Sequence, residues 1–362
     1  MEPTAAEQAI LSTLAYFDVF SYPLTPLEVW KWGYVDNTQP TTDNHHEVPR
    51  TGQAGSRLLL KEDRRRDNQQ SPPEADPASP ETLNTQSTTF GEVFSLLQTS
   101  TYLAERVESN EGFYFLRGSE DTVPIRKERY LMAERKYQHV RRALRAFRYL
   151  PFIRCIAVCN TLAYSNTRDE GDLDLLVITR PGRIWTARML ATSLAQLLGW
   201  RPDFRHTRDA VCLSFFLAED AFDFRQIALE PDDRYLCYWL DQLVPLYGDA
   251  SAVDSLRKEN AWHAAHLPNA YGTFPARRRV VTDTFASKAV KGVLHTVHAG
   301  NFGNALERRY EQIQRRLLPD RLRDMANKDS RVVVSDGMLK FHDNDRRADF
   351  AELFAARLAS VQ

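Results

Sequence analysis

The sequence predicts an α+β chain of 362 residues: a helical N-terminal unit closed by a hairpin, a centre that alternates strands with helices, and a mostly helical C-terminal region. Three observations carry this. Apolar residues recur at helical spacing near both ends, as in Ile10, Leu14 and Phe17 or Leu306, Tyr310, Ile313 and Leu317. Short apolar runs fall at 151–158, 175–178 and 210–217, the length of buried strands. Between 36 and 89 the composition turns to Thr, Gln, Asn, Pro and charge, which cannot bury enough apolar surface to offset chain entropy.

Taken in order, Glu7 to Phe20 reads as an amphipathic helix, and Thr25 caps a second helix that Pro26 opens and Tyr34 closes. A disordered insertion follows at about 37–88, in which Ser56 to Arg66 is the one short helix expected. Phe90 to Leu97 makes the third helix. Tyr102 to Val107 and Phe113 to Leu116 pair as a hairpin around Ser109-Asn-Glu-Gly112. Three helices and a hairpin give a winged-helix domain over 1–125. Its third helix holds no Lys or Arg, and its wing sets Glu105, Glu108 and Glu111 against Arg106. Phosphate contacts need cations there, so a protein partner is expected rather than DNA.

The central domain spans 126–248. Arg126 to Arg148 carries nine Lys or Arg against two Glu, on a helix whose apolar stripe is Tyr130, Ala133, Tyr137, Val140 and Leu144. A solvated face is the ordinary role of such a run, with Lys136, Arg141 and Arg142 the candidates to reach a cleft. Pro151 to Val158 is a strand and Thr161 to Thr167 a turn or short helix; Asp172-Leu-Asp174 then opens the strand that Leu175 to Ile178 continues. Ile184 to Leu198 is a helix, with Arg183 at its start and Arg188 one turn in. Ala210 to Leu217 is a strand whose alternation puts Val211, Leu213 and Phe215 on one face and Cys212, Ser214 and Phe216 on the other. A helix from Arg234 to Leu246, ending in Pro245-Leu-Tyr-Gly248, closes this domain.

From 249 to 362 the pattern is helical, broken at Gly300-Asn-Phe-Gly303. Arg331 to Phe341 is a hairpin turning at Asp336-Gly337, and Phe350, Leu353, Phe354 and Leu358 mark a terminal helix.

Residues two apart in a strand share a face, so the Asp172 and Asp174 carboxylates project together, roughly 6 to 7 Å apart along the backbone. Two such charges repel unless a cation lies between them, and Mg²⁺ held by one or two carboxylates plus substrate phosphates is the usual solution. Strand, small polar turn, Asp-x-Asp and strand together resemble the nucleotidyltransferase superfamily that includes DNA polymerase beta and small antibiotic and toxin-antitoxin nucleotidyltransferases. The flanking strings Tyr16 to Thr25, Gly112 to Gly118 and Phe341 to Arg347 are similar to a bacterial group with a winged helix before such a domain. The resemblance implies a mixed-sheet nucleotidyltransferase domain in which Asp172 and Asp174 ligate Mg²⁺ or Mn²⁺. It also implies a nucleoside triphosphate donor and contacts to its phosphates from Thr161 and its neighbours Asn160 and Ser165; Arg183 and Arg188, by their place at the start of the next helix, are further candidates for phosphate contact, a structural ion pair being the commoner role of a helical arginine. Asn160 and Ser165 stand where the family carries glycine, and Asn tolerates positive φ better than most residues.

The family's third carboxylate lies on a neighbouring strand and takes the proton from the attacking hydroxyl. The strand 210–217 has none. Ser214 is nearest to the expected position and Asp209 stands at the strand's entry. A hydroxyl cannot act as a base near neutral pH without an activating partner. Two readings therefore stand: a nucleotidyltransferase acting on an unidentified acceptor hydroxyl, and a degenerate nucleotidyltransferase-fold scaffold that presents surfaces to a protein.

Composition narrows the classes. A net charge of −1 gives no global attraction to nucleic acid or acidic membrane. The four cysteines form no C-x-x-C pair, so buried free thiols in a reducing compartment are expected. No apolar stretch reaches the length of a membrane span, and the N-terminus has no signal-peptide pattern; a cytoplasmic protein with no membrane partner is expected. His263 with His266, and His295 with His298, are three apart on helices, but nothing nearby completes a zinc set.

Overall fold

The computed structural model describes residues 2–36, 88–201 and 207–362. The expected insertion, with its short helix at Ser56 to Arg66, lies almost wholly outside them. The described residues form an α+β structure with a mixed six-stranded sheet and fourteen helices.

The N-terminal unit holds α1 (Ala5–Asp18), α2 (Pro26–Lys31), α3 (Phe90–Thr99), α4 (Thr101–Ala104) and the hairpin β1 (Val107–Asn110) and β2 (Phe113–Leu116). Three of these helices start the same way. Thr4, Thr25 and Thr89 each accept a hydrogen bond from the amide of a Glu three residues on, and that Glu reaches back, a reciprocal capping box. The expected strand from Tyr102 begins only at Val107, because Ser100 caps a helical turn by accepting from the Leu103 amide.

The sheet order is β6-β3-β4-β5-β8-β7. The basic helix α5 (Thr122–Phe147) leads into β3 (Ile153–Val158), the single turn α6 (Asn160–Ala163) and β4 (Leu173–Thr179). Then come α7 (Ile184–Leu197), β5 (Val211–Ala218), α8 (Arg234–Gln242) and β6 (Val244–Gly248). β3 and β4 are antiparallel, while β4 and β5 run parallel across the α7 crossover. The segment expected to end a helix at Pro245-Leu-Tyr-Gly248 is instead β6, an edge strand against β3. Proline is tolerated there because an edge strand leaves one row of amides unpaired.

Next are α9 (Ser251–Glu259), α10 (Trp262–His266), α11 (Phe285–Val297), α12 (Gly300–Leu317) and α13 (Asp320–Met325). The predicted break separates α11 from α12: Gly300 has φ +59, and a Cβ on Gly303 would stand 1.7 Å from the His298 carbonyl oxygen. The hairpin β7 (Val332–Val334) and β8 (Met338–Phe341) then joins the central sheet beside β5, and α14 (Arg347–Ala359) ends the chain. The C-terminal hairpin is thus continuous with the sheet that carries Asp174.

One sheet face packs on α5 and α7 through Ile156, Val158, Leu175, Val177, Leu213 and Phe216. The other packs on α8 and α9 through Cys155, Leu176, Ile178, Phe215 and Leu217. The alternation predicted for β5 fails at one point. The register pairs Asp174 with Cys212 and then Leu176 with Phe215, so β5 spends one extra residue, a bulge that moves Phe215 to the face of Cys212 and sends Phe216 to the other. Among the described residues no helix is long and apolar enough to cross a membrane.

Candidate metal centre

Asp172 and Asp174 meet Cys212 at the start of the parallel β4–β5 pair, all three half-buried, with one ligand atom from each lying within 4.8 Å of the others. Among the described residues this is the cluster of His, Cys, Asp and Glu with the geometry to hold a metal ion. Strand register explains it: Asp174 lies directly opposite Cys212, and Cys159 donates its amide to the Asp174 carbonyl at 3.2 Å from the other side.

The charges in this cluster are under stress. Withdrawal from water, followed by the neighbouring Asp172 charge, pushes the Asp174 carboxyl up to about 7, against hydrogen bonds from Asn160 and Cys212 that pull it down. Burial also raises Asp172. The Cys212 thiol is pushed well above its ordinary range by burial and then by the two carboxylates. Among the described residues neither Asp172 nor Asp174 joins an ion pair. Lys136, whose side chain is 0% exposed, is the cation whose charge favours ionised Asp172. Its ammonium donates to the Asp169 and Gly171 carbonyls and to Asp209, which ties down the loop entering Asp172.

The other site residues divide cleanly. Asn160 has φ +55 and Ser165 φ +61, so both adopt the left-handed backbone that favours glycine. The Asn160 amide oxygen accepts from Trp239 Nε1 at 2.9 Å, which fixes its side chain beside Asp174. Thr161 is exposed on α6. Asp209 is not part of the cluster; it pairs with Lys136 at 2.7 Å, and His139 stands at 3.8 Å. Arg183 follows the far end of β4, roughly 20 Å of strand from the pair, where it bonds Asn304 and covers Phe152. Arg188 lies on the α7 side of the sheet against Gln314 and Phe341. Among the described residues neither arginine bonds Asp172 or Asp174.

The β5 side chain that meets the pair is Cys212, two residues before Ser214 on the strand. Its signal was its shared face with Ser214. The two are linked: the Cys212 thiol donates to Ser214 Oγ at 3.2 Å, and Ser214 Oγ lies 3.1 Å from His342 Nε2 on the residue after β8. His342 Nδ1 is buried without a hydrogen-bond partner.

Beside this chain lies a cavity of about 200 Å³, walled by Asn160, Phe215, Tyr235, Trp239, His342 and Phe350, with Arg346 exposed at its rim. Two carboxylates suit a hard divalent cation that keeps water or phosphate as its other ligands. The third donor does not, since a thiol offers sulfur where such an ion takes oxygen. Comparison with protein-family models, with curated proteins and with solved structures found no match to this chain.

Proposed function

We propose that this chain is a divalent-metal-dependent nucleotidyltransferase that moves a nucleoside monophosphate from a triphosphate to an acceptor hydroxyl. The observation that carries the proposal is the pair Asp172 and Asp174 converging at the start of β4, with no ion pair to either carboxylate among the described residues. A Mg²⁺ or Mn²⁺ held by the pair would bridge it to nucleotide phosphates and offset charge on the leaving pyrophosphate. The surrounding residues supply orientation. Trp239 holds Asn160, Asn160 steadies Asp174, and Lys136 anchors the loop before Asp172. Tyr235, Trp239 and Phe350 offer aromatic walls to a flat ring, and exposed Arg346 offers a charge to phosphate. At about 200 Å³ the cavity holds a base-sized group, below the roughly 300 Å³ at which sites for whole drug-sized ligands begin.

Titration calorimetry with ATP, GTP, CTP and UTP in Mg²⁺ or Mn²⁺ tests the reading. At least one nucleotide binds, and Asp174→Asn weakens it by about a hundredfold, the loss of one charged ligand of a shared ion. Absence of binding to all four, or unchanged binding in Asp174→Asn, rejects it. The thiol at Cys212 favours a second reading, a fold that binds nucleotide or protein without transfer, because no carboxylate stands there to take the acceptor's proton. Metal-dependent release of pyrophosphate from any triphosphate rejects that second reading.

A further inference from the structure

We infer that Cys212 is itself a metal ligand, so that Asp172, Asp174 and Cys212 form a mixed oxygen–sulfur site for a thiophilic divalent ion of the zinc class. The inference rests on the same carboxylate pair as the proposed function but names a different ion.

The geometry carries it. Ligand atoms around a tetrahedral ion with bonds of about 2.0 to 2.3 Å stand roughly 3.5 Å apart. The three donors already lie within 4.8 Å, so small side-chain rotations close the shell. Backbone register fixes the donors, since Asp174 and Cys212 are paired residues on adjacent strands and Asp172 precedes Asp174 on the same face. The bulge that follows Cys212 brings Phe215 to the same face, where it lines the neighbouring cavity.

Donor chemistry selects the ion. Thiolate ligands favour zinc, cadmium and cobalt, whereas magnesium demands oxygen and dehydrates reluctantly. Binding requires the thiol to lose its proton to solvent as the sulfur–metal bond forms, so one proton is released and no oxidant or reductant is needed. Groups behind the sulfur are placed to support this. Once Cys212 is a thiolate, the Ser214 hydroxyl, 3.2 Å away, reverses its role and donates to it. His342 Nε2, 3.1 Å from the same hydroxyl, then donates in turn, and its orphaned Nδ1 is left free to be the unprotonated nitrogen of that tautomer. Such outer partners orient metal ligands in known sites.

The test uses the full chain with Cd²⁺ or Co²⁺ alone and no nucleotide. One equivalent of Cd²⁺ is expected to produce a thiolate-to-metal charge-transfer absorption. Cys212→Ser abolishes that band and weakens Zn²⁺ binding at least about tenfold, whereas Cys159→Ala keeps it. Cys212→Asp, which keeps three donors but makes them all oxygen, loses the band and moves preference toward Mg²⁺ and Mn²⁺. Absence of the band in the wild type, or its survival in Cys212→Ser, overturns the inference whatever the variants' stability. Mg²⁺-dependent nucleotide binding without any thiolate band rejects only this inference. A thiolate band with no nucleotide binding rejects only the proposed transferase.

Discussion

Lys136 decides how firmly Asp172 is placed. A fully buried ammonium is costly unless every proton finds an acceptor, and here the Asp169 carbonyl, the Gly171 carbonyl and the Asp209 carboxylate take them. Lys136→Met keeps the length of the side chain but leaves a carboxylate and two carbonyls without their donor. Breaking a buried pair from one side costs on the order of 3 kcal/mol. The variant is therefore expected to unfold at lower urea by that amount, and to bind metal more weakly because the loop before Asp172 loosens. Urea melts with and without Zn²⁺ or Mg²⁺ measure both effects; an unchanged midpoint refutes the assignment. At this scale the sequence was partly legible. Period-two alternation was enough to put Asp172 and Asp174 on one face, and Asn160 adopts the left-handed φ that its residue type tolerates better than most. Cys212 was not legible, because its partnership with Asp174 depends on how far β5 slides along β4. Nothing local to either strand sets that register.

The elements around the site show where sequence patterns stop carrying information. Apolar stripes and the Thr25 cap located the helices, since those signals lie within one turn of the residues they govern. The edge strand β6 was hidden because Val244-Pro-Leu-Tyr-Gly248 follows an amphipathic helix without a break, and only pairing with β3 makes it extended. The hairpin β7–β8 was found as a hairpin, yet its pairing with β5 brings Lys340 and His342 to the cavity wall. That position has a pH consequence. Burial first, then the Lys340 and Arg347 charges, lower His342 to about 4, against the opposing pull of Asp345 and Asp343. A folded value below the ordinary value of roughly 6.5 means the unfolded chain binds the proton more readily. Stability is then complete above pH 6.5 and is lost as pH falls through the window down to about 4. The loss is about 2 to 3 kcal/mol, allowing for the ring's partial exposure. His342→Gln is expected to flatten the stability profile between those limits while leaving it nearly unchanged at pH 8. Chemical denaturation at intervals of half a pH unit reads this, and parallel profiles for the two proteins would contradict it.

On the scale of the whole molecule, the three expected sequence domains are fastened to one another at α8 and α14. From the N-terminal unit, Tyr16 stacks on Tyr238 of α8 at 4.5 Å, and Arg357 of α14 pairs with buried Asp18 at 2.7 Å. Arg347, at the start of α14, makes the decisive join. Its guanidinium bonds the Ile227 carbonyl, the Asp233 carboxylate that caps α8, Ser330 Oγ before β7 and Asp345. Two stretches of chain, 227–233 and 330–347, thus meet on one planar fork, on the wall of the cavity beside Asn160. Arg347→Met would leave Asp233 and Asp345 as buried carboxylates with only Lys340 to balance Asp345. The expected cost is about 3 to 5 kcal/mol. The same change frees the α8 cap and the β8–α14 corner that carry Trp239 and His342. Loss of stability and loss of ligand binding should then appear together, with Arg347→Lys recovering part of the first but less of the second, because a single ammonium cannot span the fork's four partners. Differential scanning fluorimetry alongside nucleotide or Cd²⁺ titration separates these. If Arg347→Met bound ligand like the wild type at a temperature where both were folded, the cavity would be independent of the C-terminal region. The hairpin and last helix would then serve only to cover the β5 edge.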